Sequence, residues 1–283
     1  MKKIKSYAKV NLFLKVTKQL KNFHKLHSLI VQINLYDEIL IKENSKKKNT
    51  IFFFGKYKAN TLNNTVINLL KLMKKKFSFL KYKNFDIYIK KNIPNGSGLG
   101  GASSNAVTVF NFIKREYKLK ISDKESRKLL AKIGKDCPLF LNQKAKLIKS
   151  SGEKFTEFKD SPKLNMLLIY PNLALSTKKV FKNLKKTSNI SLKRSINFKD
   201  KKKLLEVCKY YGNDLLDPAI QIEPRLKTII DLIGKIEDSN FYSMTGSGSG
   251  FFLIFSKKKS LLNAQKIIKK HKRSLWTKIV KTI

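Results

Sequence analysis

The run Pro94-Asn95-Gly96-Ser97-Gly98-Leu99-Gly100-Gly101-Ala102-Ser103-Ser104 constrains this chain more than any other segment. Four glycines and three serines stand between a strand-like stretch and a helix-like one. Glycine lacks a Cβ, so it takes φ > 0 easily and lets backbone N–H groups converge on an anion. A helix that starts directly afterwards adds exposed N–H groups and the positive end of its dipole. Before the run, Phe85-Asp86-Ile87-Tyr88-Ile89-Lys90 alternates apolar and polar, the period of a half-buried strand. After it, Ala106, Val109, Phe110, Ile113 and Tyr117 recur on one helical face. Strand, glycine loop and helix in that order predict a turn that cradles nucleotide phosphates. The bland alternative is a flexible surface turn.

Two familiar phosphate loops do not fit. A P-loop needs Gly-x-x-x-x-Gly-Lys-Ser/Thr, and no lysine follows these glycines. Gly96, Gly98 and Gly100 alternate, but the x-x-Gly of a dinucleotide fingerprint does not follow at the right spacing.

A chain of 283 residues, 42% hydrophobic, builds one large domain or two ordinary ones with a real core. No apolar run approaches the roughly 20 residues that span a bilayer. Met1 to Val16 is basic, but its apolar residues alternate, as in a strand and not in a signal peptide. Cys137 and Cys208 suggest neither a disulfide framework nor a metal site, so no metal ligand is assigned and a cytoplasmic address is expected. The net charge of +43 invites a nucleic-acid reading. Against it, only Arg115, Arg127, Arg194, Arg225 and Arg273 are arginines, and base-reading proteins lean on arginine. The lysines are spread along the whole chain, which fits a composition bias. No specific nucleic acid or membrane partner is expected, though the charge would attract anionic nucleotides.

Strands are expected over Ser6 to Val16, Leu26 to Leu35, Glu38 to Ile41 and Ile51 to Phe54, and a helix near Asn64. The glycine-loop helix and a helix from Asp123 to Ile133 follow, then a hairpin in Ala145 to Lys159 turning at Ser151-Gly152. Leu164 to Tyr170 reads as a buried strand. Helices are expected near Thr177 to Leu184, Lys201 to Tyr211, Pro224 to Gly234 and Lys258 to Lys270. Strands Phe241 to Thr245 and Phe251 to Phe255 bracket a second glycine loop, Gly246-Ser247-Gly248-Ser249-Gly250. The class is α+β, with two domains, 1–158 and 159–283.

On the first strand, Lys9 and Asn11 project from one face and Ala8, Val10, Leu12 and Leu14 from the other. Asp136 lies in Gly134-Lys135-Asp136-Cys137-Pro138-Leu139-Phe140, among apolar and helix-ending residues, where a carboxylate is partly buried and needs a cationic partner. Taken with the two glycine loops, these residues resemble the GHMP kinases, small-molecule kinases without a P-loop. Phe23-His24-Lys25-Leu26, Ser176-Thr177-Lys178-Lys179-Val180-Phe181 and Gly212-Asn213-Asp214-Leu215 extend the resemblance over nearly the whole chain. They point within that superfamily to enzymes whose acceptor carries a cytidine diphosphate group.

That resemblance implies an N-terminal domain like domain 2 of ribosomal protein S5 and a ferredoxin-like C-terminal domain. It implies ATP as donor, Mg2+ at the phosphates and a small-molecule acceptor, CDP-methylerythritol, phosphorylated on its 2-hydroxyl in isoprenoid precursor synthesis. Asp136 would accept the hydroxyl proton and Lys9 would keep Asp136 ionised. The residues from Pro94 to Ser104 would bind ATP, with Asn64 near the adenosine. Phe23 and Phe181 would sandwich the cytosine and His24 would hydrogen-bond its edge. Asn11, Thr177, Gly246 and Gly248 would line the rest of the acceptor site. A monomer or weak homodimer is expected. The chain departs from the pattern at Phe23, where tyrosine is usual, at Ala102, where glycine is usual, and at Cys137, where a small aliphatic residue is usual. A homoserine or mevalonate-type GHMP kinase, or a basic nucleic-acid-binding protein on the same fold, are the alternatives.

Overall fold

The structure is a computed structural model that describes residues 3–19, 24–57, 64–150, 154–185, 187 and 196–283. Its contacts divide the chain into two units, each gathered from separate stretches. One is Met1–Ala8, Leu35–Asn95 and Gly100–Gln143; the other is Lys9–Asn34, Gly96–Leu99 and Lys144–Ile283.

The first unit holds the opening of β1 (Ile4–Gln19) and the second half of β2 (His24–Asn44). To these it adds β3 (Thr50–Gly55), α1 (Thr65–Lys76), β4 (Asn84–Lys91), α2 (Gly101–Glu116) and α3 (Asp123–Ala131). β4 pairs in parallel with β3, Ile87 opposite Ile51, and antiparallel with β2, Ile89 opposite Ile39. These four isoleucines are buried, as are Val66, Leu69 and Met73 of α1 and Val109, Phe110 and Ile113 of α2. The helical periodicity thus marks the faces that leave water.

The second unit holds the rest of β1 and β2 with β5 (Lys146–Ile148), β6 (Phe155–Glu157) and β7 (Asn165–Tyr170). Then come α4 (Thr177–Lys182), α5 (Lys201–Tyr211), α6 (Leu216–Ile222), α7 (Arg225–Gly234), β8 (Phe241–Met244), β9 (Phe251–Phe255), α8 (Lys258–His271) and β10 (Trp276–Lys281). A four-stranded antiparallel sheet in the order β10-β7-β9-β8 buries Leu167, Ile169, Leu253 and Phe255 in one core with Val180, Ala219, Ile229, Ile233, Leu261 and Ile268.

Three features differ from the sequence reading. β2 is one strand, where a break near Tyr36-Asp37 was expected. It continues because Asp37, wholly buried, has a full set of partners. Lys91 Nζ and Asn105 Nδ2 donate to one carboxylate oxygen, the latter at 3.0 Å; the N–H groups of Asn92 and Ile93 donate to the other at 2.7 and 2.9 Å. A buried charge so satisfied no longer interrupts a strand. α6 was not anticipated: seven residues are too few for a periodicity, and Pro218 near its start is tolerated where no N–H acceptor is needed. Finally, both faces of β1 are buried around Lys9 and Asn11, which are 3% and 4% exposed. The expected hairpin is present as the antiparallel pair β5–β6; its turn, Ser151-Gly152, lies outside the described residues.

Candidate active site

Gly100 caps α2 in the left-handed region, at φ 73°, which a residue without Cβ takes at no cost. The first bond within the helix runs from Ser104 N–H to Gly100 O at 2.9 Å. The N–H groups of Gly101, Ala102 and Ser103 thus have no acceptor within the helix, and its first turn carries no acidic side chain. That is the chemistry of an anion-binding helix end. Thr65 Oγ1 donates to Ala102 O at 2.8 Å, which brings the start of α1 to the same place. Asn64 caps α1, its Oδ1 accepting from the N–H groups of Val66 and Ile67, both at 3.0 Å. Ser104 turns its hydroxyl inward, onto Tyr7 O at 2.7 Å and Ser6 Oγ at 2.8 Å.

Asp136 joins this group through its neighbour. Cys137 Sγ hydrogen-bonds Ser103 in the first turn of α2, and a Cβ on Gly134 would lie 3.4 Å from that sulfur. Burial pushes the Cys137 thiol up to about 11, against a smaller opposing effect from Ser103, so it packs as a neutral group. Asp136 itself is half-buried. The first unit therefore brings together Asn64, Gly100 to Ser103 and the segment that carries Asp136.

The second unit gathers the rest. Lys9 N–H donates to Leu99 O at 3.0 Å, and Lys9 Nζ donates to Asn11 Oδ1. Asn11 N–H donates to Thr245 Oγ1 at 3.0 Å and its Nδ2 to Ser28 Oγ at 2.8 Å. The two glycine loops are laced together: Ser249 N–H reaches Gly96 O at 3.3 Å and Gly250 N–H reaches Ser97 O at 3.1 Å. A Cβ on Gly98, at φ +76°, would stand 2.2 Å from Thr245 O, so only glycine permits this approach. A Cβ on Gly246 would meet Lys9 Nζ at 3.3 Å. Thr177 Oγ1 and Ser247 Oγ are 2.9 Å apart, and Gly248 packs on Met244 and Leu175. The rings of His24 and Phe181 face each other at 4.7 Å and 34°. Phe23 lies outside the described residues. Pro94 and Asn95 belong to the first unit and Gly96 to Leu99 to the second.

Three contributors escaped sequence reading. Ser28 receives Asn11 and donates to Phe13 O at 2.6 Å. Thr245 receives the Asn11 amide. Asp37 holds the end of β4 just ahead of the first glycine loop. Asp37 left a signal, as a lone carboxylate on the inward face of an alternating strand, and Thr245 opens the second glycine loop; Ser28 left none.

Fold and loops together define a small-molecule kinase of the GHMP type: residues 64–142 match the GHMP kinases N terminal domain. A crystal structure titled 4-(cytidine 5'-diphospho)-2C-methyl-D-erythritol kinase shares the fold at a TM-score of 0.77 and 23% identity, with 99% of each chain covered. The sequence is 34% identical to 4-diphosphocytidyl-2-C-methyl-D-erythritol kinase of Pelagibacter ubique (strain HTCC1062), over 99% of both chains. It is 31% identical to the enzyme of that name from Ehrlichia canis (strain Jake), over 93% of this chain and 92% of the other. The chain belongs to the 4-diphosphocytidyl-2-C-methyl-D-erythritol kinase family.

Proposed function

We propose that this protein uses ATP to phosphorylate the 2-hydroxyl of 4-diphosphocytidyl-2-C-methyl-D-erythritol, on the route to isoprenoid precursors. The observation that carries the proposal is full-length identity to kinases of that name at 34% and 31%. The residue chemistry supports it.

Phosphoryl transfer needs positioning and charge stabilisation more than covalent help. The acceptor oxygen attacks the γ-phosphorus, its proton passes to Asp136, and the bond to the bridging oxygen of ADP breaks. Lys9 orients the attacking hydroxyl. The phosphates lie along the residues from Pro94 to Ser104, at the exposed N–H groups that open α2, and Asn64 lies toward the adenosine. Phe23, His24 and Phe181 receive the cytosine, where stacking contributes roughly 1–3 kcal/mol per base. Asn11, Thr177, Gly246 and Gly248 line the remainder of the acceptor. Among the described residues no three His, Cys, Asp or Glu side chains gather as a metal cage. A Mg2+ ion brought in with ATP would supply charge stabilisation, and the exposed N–H groups that open α2 would hold the phosphates that carry it. The working form is a cytoplasmic monomer or weak homodimer.

The test is ATP turnover with Mg2+ against the cytidine-diphosphate alcohol, homoserine and mevalonate in parallel. Turnover of the first alone is expected, with CDP and CMP inhibiting it. Turnover of another alcohol, insensitive to CDP, would discard the roles given to Phe23, His24 and Phe181.

A further inference from the structure

Gly212-Asn213-Asp214-Leu215 stands out in the sequence, yet the proposed chemistry gives it no task. In the second unit this segment touches both β1 and the second glycine loop. On the β1 side, Leu14 N–H donates to Gly212 O at 2.8 Å and Asp214 N–H to Leu14 O at 2.9 Å. The Asp214 carboxylate accepts from Lys15 Nζ at 2.6 Å and from Val16 N–H at 2.8 Å. On the loop side, Asn213 Nδ2 donates to Met244 O at 2.7 Å and to Gly246 O at 3.0 Å. Its Oδ1 accepts from Leu215 N–H at 2.9 Å, which fixes the rotamer.

We infer that Asn213 is a positioning residue that holds the second glycine loop at a fixed offset from the strand bearing Lys9 and Asn11. Both hydrogens of one amide nitrogen are engaged, on the carbonyls that flank Thr245. Thr245 Oγ1 in turn accepts from Asn11 N–H, and Gly246 is the residue whose added Cβ would meet Lys9 Nζ. A slide of the loop therefore reaches the Lys9–Asn11 pair directly. Asn213 and Met244 also line a cavity of about 490 Å³. The catalytic consequence rests on the kinase reading above; the restraint itself does not.

The test compares the full-length protein with Asn213→Asp and Asn213→Gln. Aspartate keeps the acceptor for Leu215 N–H but loses both donors and sets an oxygen against two carbonyls. Glutamine keeps the donors and displaces them by one methylene. Amide hydrogen exchange is read at Gly248, Ser249 and Gly250, against Leu253 and Phe255 in β9. The expected result is exchange about tenfold faster in the loop, with β9 unchanged. With it, kcat falls by up to about 100-fold and KM for the acceptor rises, while KM for ATP stays close to wild type. Wild-type protection in the loop would overturn the inference. So would an equal loss throughout β9, which reports only a weaker fold. If Asn213→Asp does not fold, Asn213→Gln decides by the same readings. If the wild-type protein turns over none of the three alcohols, the kinase reading fails while the exchange experiment still decides the restraint.

Discussion

Asp136 is the residue on which the proposed chemistry depends. Asp136→Asn keeps its shape but removes its capacity to take a proton, so kcat should fall by about 100-fold or more. ATP affinity, measured by titration, should barely change, and near-normal turnover would remove Asp136 from the mechanism. His27 matters for stability instead. It is buried, with Phe13 stacked on it at 5.4 Å and Tyr211 edge-on at 5.8 Å. Burial, and to a lesser extent the charge of Lys149, lowers its pKa from 6.5 to about 4. Between those values the unfolded chain binds a proton that the folded chain refuses, so stability rises with pH across this window. The stability lost from pH 7 down to pH 4 is about 3 kcal/mol for this group, at 1.36 kcal/mol per unit. In His27→Phe that loss should shrink by about the same amount in urea unfolding at pH 7, 5 and 4. Parallel curves for the two proteins would contradict the argument.

Among elements, α1 shows how one residue can carry two readings. Asn64 matches an adenosine-side position in the family, and its side chain also caps a helix through two hydrogen bonds. Loss of such a cap costs about 1 kcal/mol. Asn64→Ala should therefore lower the stability to denaturant by that amount and, with Asn64 toward the adenosine, also raise the KM for ATP several-fold. A loss of stability with the KM for ATP unchanged would leave Asn64 as a helix cap alone. α3 carries its own local signature, a capping box in which Ser122 and Glu125 bond each other's backbone, which the reading of a helix near Asp123 did not use. The unbroken run of β2 was not legible, because a buried Asp37 becomes acceptable only once Lys91, Asn92, Ile93 and Asn105 converge on it from elsewhere in the chain.

At the scale of the whole molecule, 62 basic residues face 19 acidic ones. Such a field attracts phosphate-bearing substrates over distances that salt shortens, from about 30 Å at 0.01 M to about 8 Å at 0.15 M. The kcat/KM for ATP should fall several-fold over that range with kcat unchanged. A flat kcat/KM would reduce the charge to composition. A fall in kcat as well would place the salt effect on chemistry, not encounter.

The sequence by itself determined the local features. Alternation and periodicity placed β4 and α2, glycine spacing marked both loops, and the order of motifs from Lys9 to Gly250 identified the superfamily. Those signals are local because backbone conformation and amphipathic faces depend on residues a few positions apart. Tertiary structure alone decided which polar groups are satisfied. The bonds from Asn11 to Thr245 and Ser28, and from Asn213 to the second glycine loop, each join residues well separated in the chain. Hydrogen-bond partners of that kind leave no spacing to read, because the geometry that pairs them exists only after the chain has folded.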